Sequence, residues 1–214
     1  MVETVRTLVL PALVLVSAVA AIWSEAKGRK RVHHVAKPLT TVLIIAVAAL
    51  AAAPVPAAYK TVVLAGLFFS LLGDVALMFP DRLFIAGLVA FLAAQILYIV
   101  AFKPAPGQAV PLMTFLPFVL YGLLMFFLLA PGLGPLKLPV LVYIGAITAM
   151  AGFAAVRYVH LGGTRPLLAF VGAVLFLVSD SALAYDRFAK KFAAARALVL
   201  ATYFPAQLLI ALSV

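Results

Sequence analysis

Long apolar stretches alternate with short polar or proline-containing breaks along the whole chain. A helix that spans a bilayer needs about 20 predominantly apolar residues, and about 17 suffice. Eight stretches reach this length, and they cover residues 7–23, 38–53, 61–79, 83–102, 111–130, 139–156, 167–184 and 197–213. The pattern predicts an all-α membrane protein, a bundle of eight transmembrane helices in one integral membrane domain, 1–214.

The composition leads to the same class. The chain has 214 residues, of which 67% are hydrophobic and 10% are charged, and its mean hydropathy is +1.26. Soluble domains are about 45–50% apolar and about 25% charged. Cysteine is absent, so disulfides and cysteine-based metal or nucleophilic sites are excluded. We expect a multi-pass protein of a cell membrane, the bacterial inner membrane.

Positive charge is in excess, with 16 Lys and Arg against 6 Asp and Glu. In a membrane protein this excess belongs to cytoplasmic loops, and it does not indicate a nucleic-acid partner. With eight spans, the loops after spans one, three, five and seven carry Lys27, Arg29, Lys30, Arg31, Lys37, Arg82, Lys137, Arg187, Lys190, Lys191 and Arg196. This bias places both termini on the non-cytoplasmic side and argues against a cleaved signal peptide in the first span.

An internal repeat is visible in three pairs of segments. DVALMFPDRL at 74–83 matches DSALAYDRF at 180–188 when one residue is dropped at Pro80. AAQILYIVAF in span four resembles PAQLLIALSV in span eight, and KPLTTVLIIAVAAL resembles KLPVLVYIGAITAM. The pairs occur in the same order, which predicts a four-helix unit used twice, with halves 1–106 and 107–214. An even number of spans separates the copies, so they run in the same direction about an axis along the membrane normal.

Two carboxylates, Asp74 and Asp180, lie at matching depths inside spans three and seven. An ionised aspartate at the centre of a membrane helix costs about 2.5–3.5 kcal/mol, so such residues normally face a cavity or a partner in the bundle. Two carboxyl groups that share a proton provide one acid and one base. We therefore predict a catalytic pair. In the alternative, both are buried polar groups that join helices, with Ser70, Ser179 or Ser181 as partners.

Other polar side chains accompany the two aspartates. Gln95 and Gln207 lie in spans four and eight, Tyr98 and Tyr203 lie one helical turn from them, and Ser70 and Ser179 lie in spans three and seven with the aspartates. They line the same cavity or form hydrogen bonds between helices. Asp81 and Asp186 each precede an arginine at a helix end, which predicts helix capping or a surface ion pair. Lys37 starts span two, where it meets a phosphate or extends to the membrane surface.

Several of these segments resemble one family. LFFSLLGDVALM, GAVLFLVSDSALAYDRF, KPLTTVLI and TYFPAQLLIALS are similar to the YhhN-like lysoplasmalogenase family of multi-pass membrane proteins. The resemblance covers nearly the whole chain, and the two aspartate motifs are its most specific part. The first motif has Arg82-Leu83 where the second has Arg187-Phe188, a departure that leaves the two aspartates untouched.

The resemblance implies hydrolysis of the vinyl ether bond of lysoplasmalogens. The products are a fatty aldehyde and glycerophosphoethanolamine or glycerophosphocholine. A protonated aspartate can donate the proton, and its ionised partner can stabilise the cation and deprotonate water, without a metal or an organic cofactor. The implied partners are a lysophospholipid substrate and membrane lipids, with the substrate phosphate near Lys37, Arg82 or Arg187.

Three other classes remain open from the residues alone. A proton-coupled transporter also uses intramembrane carboxylates and duplicated helix bundles. In an intramembrane aspartyl protease, Gly73-Asp74 and Tyr185-Asp186 would form the paired motifs. However, the Pro-Ala-Leu that those enzymes carry near the C-terminal end occurs here only at 11–13, in the first span. The third class is a scaffold of packed helices, and the presence of the paired acids argues against it.

Overall fold

The computed structural model describes residues 4–52 and 55–214, and the side chains of residues 6 and 7 are left out of the description. These residues form helices and short connections, with no β-strand among them. The predicted all-α class is confirmed. Residues 1–3 and 53–54, which include the beginning of the predicted domain and the end of the predicted second span, lie outside the described residues.

The described residues contain eight α-helices, which correspond in order to the eight apolar stretches. The first four are α1 (Leu10–Ala26), α2 (Lys30–Ala49), α3 (Ala57–Leu77) and α4 (Pro80–Phe102). The second four are α5 (Leu116–Leu129), α6 (Lys137–Leu161), α7 (Thr164–Phe188) and α8 (Ala195–Leu212). Short 3₁₀ turns precede and follow α5.

In the described part of the chain, seven helices are long and apolar enough to cross a membrane. They are α2 to α8, with α5 counted together with its flanking 3₁₀ turns. Helix α1 is apolar but has only 17 residues, and a π-helical turn, Val5–Val9, leads directly into it. The chain is a multi-pass membrane protein. The eighth span, the sidedness of the termini and the internal repeat stay predictions.

One predicted boundary is wrong by two helical turns. The sequence pattern placed the beginning of the second span at residue 38, but α2 begins at Lys30 and contains Pro38 in its interior. Lys and Arg are good helix formers, so the basic segment before Pro38 continues the helix beyond the apolar stretch. As a result, Lys37 lies inside a helix rather than at a helix start.

Small side chains line the interfaces between the helices. Among the fully buried positions are Ala48, Ala94, Ala154, Ala173 and Ala206. Lipid provides no hydrophobic force that would drive membrane helices together. Small residues allow the helices to approach closely, so that van der Waals contacts and hydrogen bonds can hold them. Large apolar side chains occur both in the interior, such as Phe102 and Phe176, and on the outside, most clearly along α5. The interior also contains buried polar groups, and these define the candidate site.

Candidate active site in the membrane

Asp74 is buried where α2, α3 and α8 meet, and its side chain is 1% exposed. Its Oδ2 accepts hydrogen bonds from the hydroxyl groups of Thr41, at 2.6 Å, and Tyr203, at 2.8 Å. The ammonium group of Lys37 lies 3.3 Å from its Oδ1. Lys37 and Thr41 are four residues apart and therefore share one face of α2. Two hydroxyl donors and one cation balance the charge that an ionised Asp74 brings into the membrane.

Asp180 occupies a different environment between α4, α6 and α7. Its Oδ2 accepts a short hydrogen bond from the hydroxyl of Tyr143 and one of 3.2 Å from Nε2 of Gln95. Within the described residues, Asp180 forms no ion pair, and no hydrogen bond reaches its Oδ1. Asp180 is partly buried and lies on the wall of a cavity. Its second oxygen is therefore available to a molecule in that cavity.

The helices that supply hydrogen bonds to the two aspartates correspond in the predicted repeat. Asp74, on the third helix, receives them from the second and eighth helices, through Thr41 and Tyr203. Asp180, on the seventh helix, receives them from the sixth and fourth helices, through Tyr143 and Gln95. A duplicated four-helix unit would produce this arrangement, because the second, third and eighth helices then correspond to the sixth, seventh and fourth.

No hydrogen bond joins the two aspartates to each other in the described chain; each has its own set of partners. The ring of Tyr203, which donates to Asp74, packs against Phe91 and Phe176 with centroid distances of 5.7 Å. Phe91 in turn lines the cavity beside Asp180. The structure therefore places Asp180 at the cavity and Asp74 behind an aromatic layer.

The remaining buried polar residues from the sequence prediction form contacts between helices. The hydroxyl of Tyr98 donates to Oε1 of Gln207, at 2.7 Å, and Nε2 of Gln207 donates to Ser70 Oγ, at 3.2 Å. Ser179 donates to the carbonyl of Val199, at 3.0 Å. Neither serine hydrogen-bonds to an aspartate, nor does Ser181, so the predicted serine partners were wrong. Hydroxyl groups of other helices lie closer to both carboxylates.

The cavity beside Asp180 has an empty volume of about 700 Å³, part of which is open to the surroundings. Its walls come from α3 to α7 and are almost entirely apolar. Phe84 and Phe188 border it near the ends of α4 and α7, with ring centroids 6.0 Å apart. Gly122 and Thr148 border it in the middle of α5 and α6. The cavity therefore extends from the helix ends into the interior of the membrane, with Asp180 on its wall.

The two predicted phosphate-binding arginines lie near the outer end of this cavity. Arg82 and Arg187 are both exposed. The guanidinium of Arg187 lies 4.8 Å from the centroid of the Phe84 ring, which borders the cavity. Lys37, the third predicted cation, lies apart from them, beside Asp74.

The two aspartates at the helix ends differ in their contacts. Asp81 lies in the first turn of α4, where a negative charge interacts favourably with the helix dipole. Its side chain forms no capping hydrogen bond. Asp186 Oδ1 accepts a hydrogen bond of 3.1 Å from the backbone N–H of Phe192, after α7. Neither forms an ion pair in the described part of the chain, so the predicted surface ion pairs are absent there.

Three residues at the site were not singled out from the sequence: Thr41, Tyr143 and Tyr121. Thr41 and Tyr143 donate to the two aspartates, and Tyr121 lies on the cavity wall. Thr41 and Tyr143 lie in the two segments, KPLTTVLIIAVAAL and KLPVLVYIGAITAM, that the repeat pairs with each other. Searching these paired segments for hydroxyl groups would have found both.

These features define the class as an α-helical multi-pass membrane protein with a carboxylate on the wall of an apolar cavity. The chain belongs to the YhhN family, whose sequence model matches residues 32–214. It is 30% identical over 199 residues to a protein of Escherichia coli O6:H1 named "uncharacterized membrane protein YhhN". That match covers 92% of this chain and 94% of the relative.

Two mammalian relatives carry functional names. The chain is 37% identical over 159 residues to lysoplasmalogenase TMEM86A of Bos taurus, a match that covers 72% of this chain and 65% of the relative. It is 35% identical over 165 residues to lysoplasmalogenase TMEM86B of Homo sapiens, a match that covers 72% of this chain and 64% of the relative. The chain thus spans just under two thirds of the length of these two relatives. No solved structure matches the chain significantly.

Proposed function

We propose that this chain is a lysoplasmalogenase, a hydrolase that cleaves the vinyl ether bond of a lysoplasmalogen. The observation that carries the proposal is Asp180, a hydrogen-bonded carboxyl group on the wall of an otherwise apolar cavity. The family relatives named lysoplasmalogenase add to it. An acid placed in an apolar, membrane-embedded cavity suits a substrate whose reactive bond joins a hydrocarbon chain to a glycerol headgroup.

The lining of the cavity suits such a substrate. Pockets that bind small molecules have mostly apolar walls with a few polar groups. The cavity has walls of this kind, and most of its polar side chains lie near Asp180. A single alkenyl chain can enter the inner part of the cavity, towards Ile147 and Leu177, while the glycerol headgroup remains towards Phe84 and Phe188.

In the proposed reaction Asp180 is the general acid. Its proton moves to the vinyl ether carbon β to the oxygen, and the resulting oxocarbenium ion is attacked by water. The Asp180 carboxylate then takes a proton from that water, which restores the acid and leaves a hemiacetal. The hemiacetal breaks into a fatty aldehyde and glycerophosphoethanolamine or glycerophosphocholine. Positioned acids and bases of this kind contribute about 10²–10⁴-fold to the rate, and Tyr143 and Gln95 hold Asp180 in place.

Asp74 serves as the charged partner in this proposal. Its contacts with Lys37, Thr41 and Tyr203 suit an anion that stays in place during the reaction. An anion fixed in a medium of low dielectric constant stabilises a nearby cation without reorganisation. Because Asp74 lies behind Tyr203 and Phe91, it acts on the oxocarbenium ion through its field rather than by contact.

The substrate phosphate is assigned to the arginines at the outer end of the cavity. Arg187 lies seven residues after Asp180 on α7, which corresponds to about 10 Å along a helix. A lysophospholipid joins its vinyl ether to its phosphate through the shorter glycerol unit, and the long Arg187 side chain can extend across the remaining distance. Arginine binds phosphate with two parallel hydrogen bonds. Lys37 is less suitable because its ammonium group is already paired with Asp74.

A proton-coupled transporter is the second candidate, and the buried pair of Lys37 and Asp74 is the observation that favours it. Buried ion pairs of this kind occur along proton and substrate pathways in membranes. One experiment separates the two functions. Purified protein is given a defined lysoplasmenylethanolamine, and released aldehyde is identified by mass spectrometry, while proteoliposomes are assayed for uptake of the intact lipid. The enzyme predicts aldehyde and glycerophosphoethanolamine; uptake of intact lipid without products would favour the transporter.

A further inference from the structure

A second polar feature on the cavity wall has no part in the acid chemistry described above. Tyr121 on α5 and Ser181 on α7 both line the cavity, and Ser181 directly follows Asp180 in the chain. The hydroxyl of Tyr121 donates a hydrogen bond of 2.8 Å to Ser181 Oγ. Apart from these two hydroxyl groups, Thr148 and the immediate surroundings of Asp180, the wall of the cavity is apolar. A pair of hydroxyl groups at this place therefore calls for a ligand group that they recognise.

Counting donors and acceptors shows which group this is. A hydroxyl group has one hydrogen to donate and two lone pairs to accept. Tyr121 uses its hydrogen on Ser181, and Ser181 uses its own on the carbonyl of Leu177, at 2.7 Å. Both hydrogens are engaged, whereas no described residue donates to the Tyr121 oxygen. The pair consequently offers an acceptor, and it suits a ligand that carries a hydrogen-bond donor.

In a lysoplasmalogen the donor nearest the vinyl ether is the free hydroxyl group at the 2-position of glycerol. It lies only a few bonds from the carbon that Asp180 protonates. In a plasmalogen with an acyl chain at the 2-position, this oxygen is esterified and can only accept. We propose that Tyr121, supported by Ser181, is a specificity-determining residue that accepts a hydrogen bond from the 2-hydroxyl group of the substrate. This inference rests on the proposed function and names the substrate feature that the site distinguishes.

The pair also explains why selection would occur close to the reacting bond. A site built to hydrogen-bond a hydroxyl group rejects an analogue that lacks it, since the buried polar group is then left without a partner. Tyr121 and Ser181 come from two helices, so their spacing is fixed by packing rather than by a flexible loop. Because Ser181 directly follows Asp180, a substrate that does not bind at Tyr121 and Ser181 is also badly placed for protonation by Asp180.

The test compares two substrates that differ only at the 2-position. One is 1-alkenyl-glycerophosphoethanolamine, and the other is its 2-deoxy analogue, which lacks the donor and adds no bulk. Wild-type protein should prefer the first by about tenfold in kcat/KM, the value of one satisfied hydrogen bond near a buried acceptor. Tyr121→Phe should lower kcat/KM for the hydroxyl substrate and remove the preference, so that the ratio of kcat/KM for the two substrates falls to about one.

A purely structural role of Tyr121 would lower the rates with both substrates alike, which separates the two explanations. Tyr158→Phe is the matched control, because Tyr158 stacks on Phe170 away from the cavity. Ser181→Ala is the second variant, and it should reduce the preference in the same direction. Equal rates of the wild type with the two substrates, or a full preference in Tyr121→Phe, would overturn this inference alone. Absence of aldehyde from both substrates with wild-type protein would overturn the proposed function, and the inference with it.

Discussion

The hydroxyl group of Tyr143 donates a hydrogen bond to Oδ2 of Asp180, while Oδ1 of the same carboxyl group receives none from the described residues. This relationship divides the carboxyl group into a held oxygen and an available one. The held oxygen fixes the orientation of Asp180 on the wall of the cavity. The available oxygen is the one that carries the proton in the proposed reaction.

We expect Tyr143→Phe to lower kcat by about tenfold, because loss of one neutral hydrogen bond costs about 0.5–1.5 kcal/mol and frees the carboxyl group to rotate. The measurement is aldehyde release under saturating substrate, with the chain's folding checked by its melting temperature in detergent. Tyr185→Phe serves as the control, because Tyr185 is not on the cavity wall. A Tyr143→Phe variant with wild-type kcat would show that this hydrogen bond does not position the acid.

The pair of Lys37 and Asp74 leads to a prediction about stability. Lys37→Met leaves a buried carboxylate without its cation, and breaking a buried pair on one side costs about 3–5 kcal/mol. The double variant Lys37→Met with Asp74→Asn removes both charges, so it should regain most of the lost melting temperature. The exposed Lys190, changed to Met, is the control for loss of a lysine. A double variant as unstable as Lys37→Met would contradict the ion pair.

The inner end of the cavity predicts selection by chain length. Gly122 borders the cavity, and a Cβ added there would lie 3.0 Å from Thr148 and 3.1 Å from Ile144, so Gly122→Leu would press on α6 as well as narrow the space assigned to the alkenyl chain. We expect kcat/KM to fall more for long alkenyl chains than for short ones, measured over a series of lysoplasmalogens. Gly145→Leu is the matched control, because a Cβ added at Gly145 would have no neighbouring atom within 4 Å. An equal loss for all chain lengths would contradict the assignment of the alkenyl chain to this part of the cavity.

The headgroup assignment predicts an effect on substrate binding rather than on chemistry. Arg187→Gln should raise KM by about tenfold with little change in kcat, because an interaction made equally in the ground state and transition state changes KM alone. An alkenylglycerol that lacks the phosphate should be hydrolysed equally by Arg187→Gln and wild-type protein. The control is Lys190→Gln, an exposed lysine beyond the end of α7. If Arg187→Gln lowered the rate with both substrates, the phosphate would not be its ligand.

Much of this arrangement was accessible from the sequence. Asp74 and Asp180 stood out because a charged residue within a long apolar stretch is costly and therefore rare. The helices followed from the lengths of those stretches. The hydrogen-bond partners of the two aspartates followed only in part. Tyr203 and Gln95 were among the predicted polar residues, but Thr41 and Tyr143 were not, because hydroxyl groups are common in membrane helices and the contacts join distant parts of the chain. Tyr203 lies 129 residues from Asp74, and Gln95 lies 85 residues from Asp180.

Lys37 illustrates a different reason. In the sequence it stands at the polar end of an apolar stretch, which predicted a surface position. In the structure its long side chain reaches Asp74 on α3, and the residue is 8% exposed. The apolar stem and charged head of lysine allow both outcomes, and only the packing of α2 against α3 decides between them. The cavity and the pair of Tyr121 and Ser181 likewise depend on which helices are neighbours.

The most direct test of the account is aldehyde release from a defined lysoplasmenylethanolamine by purified wild-type protein, Asp180→Asn and Asp74→Asn. Asparagine keeps the shape of aspartate but cannot supply the acid proton. We predict aldehyde from the wild type, a loss of about 10²–10⁴-fold in Asp180→Asn, and a clear loss in Asp74→Asn, with both variants folded by melting temperature. Wild-type turnover in Asp180→Asn, or no aldehyde from wild-type protein, would contradict the account.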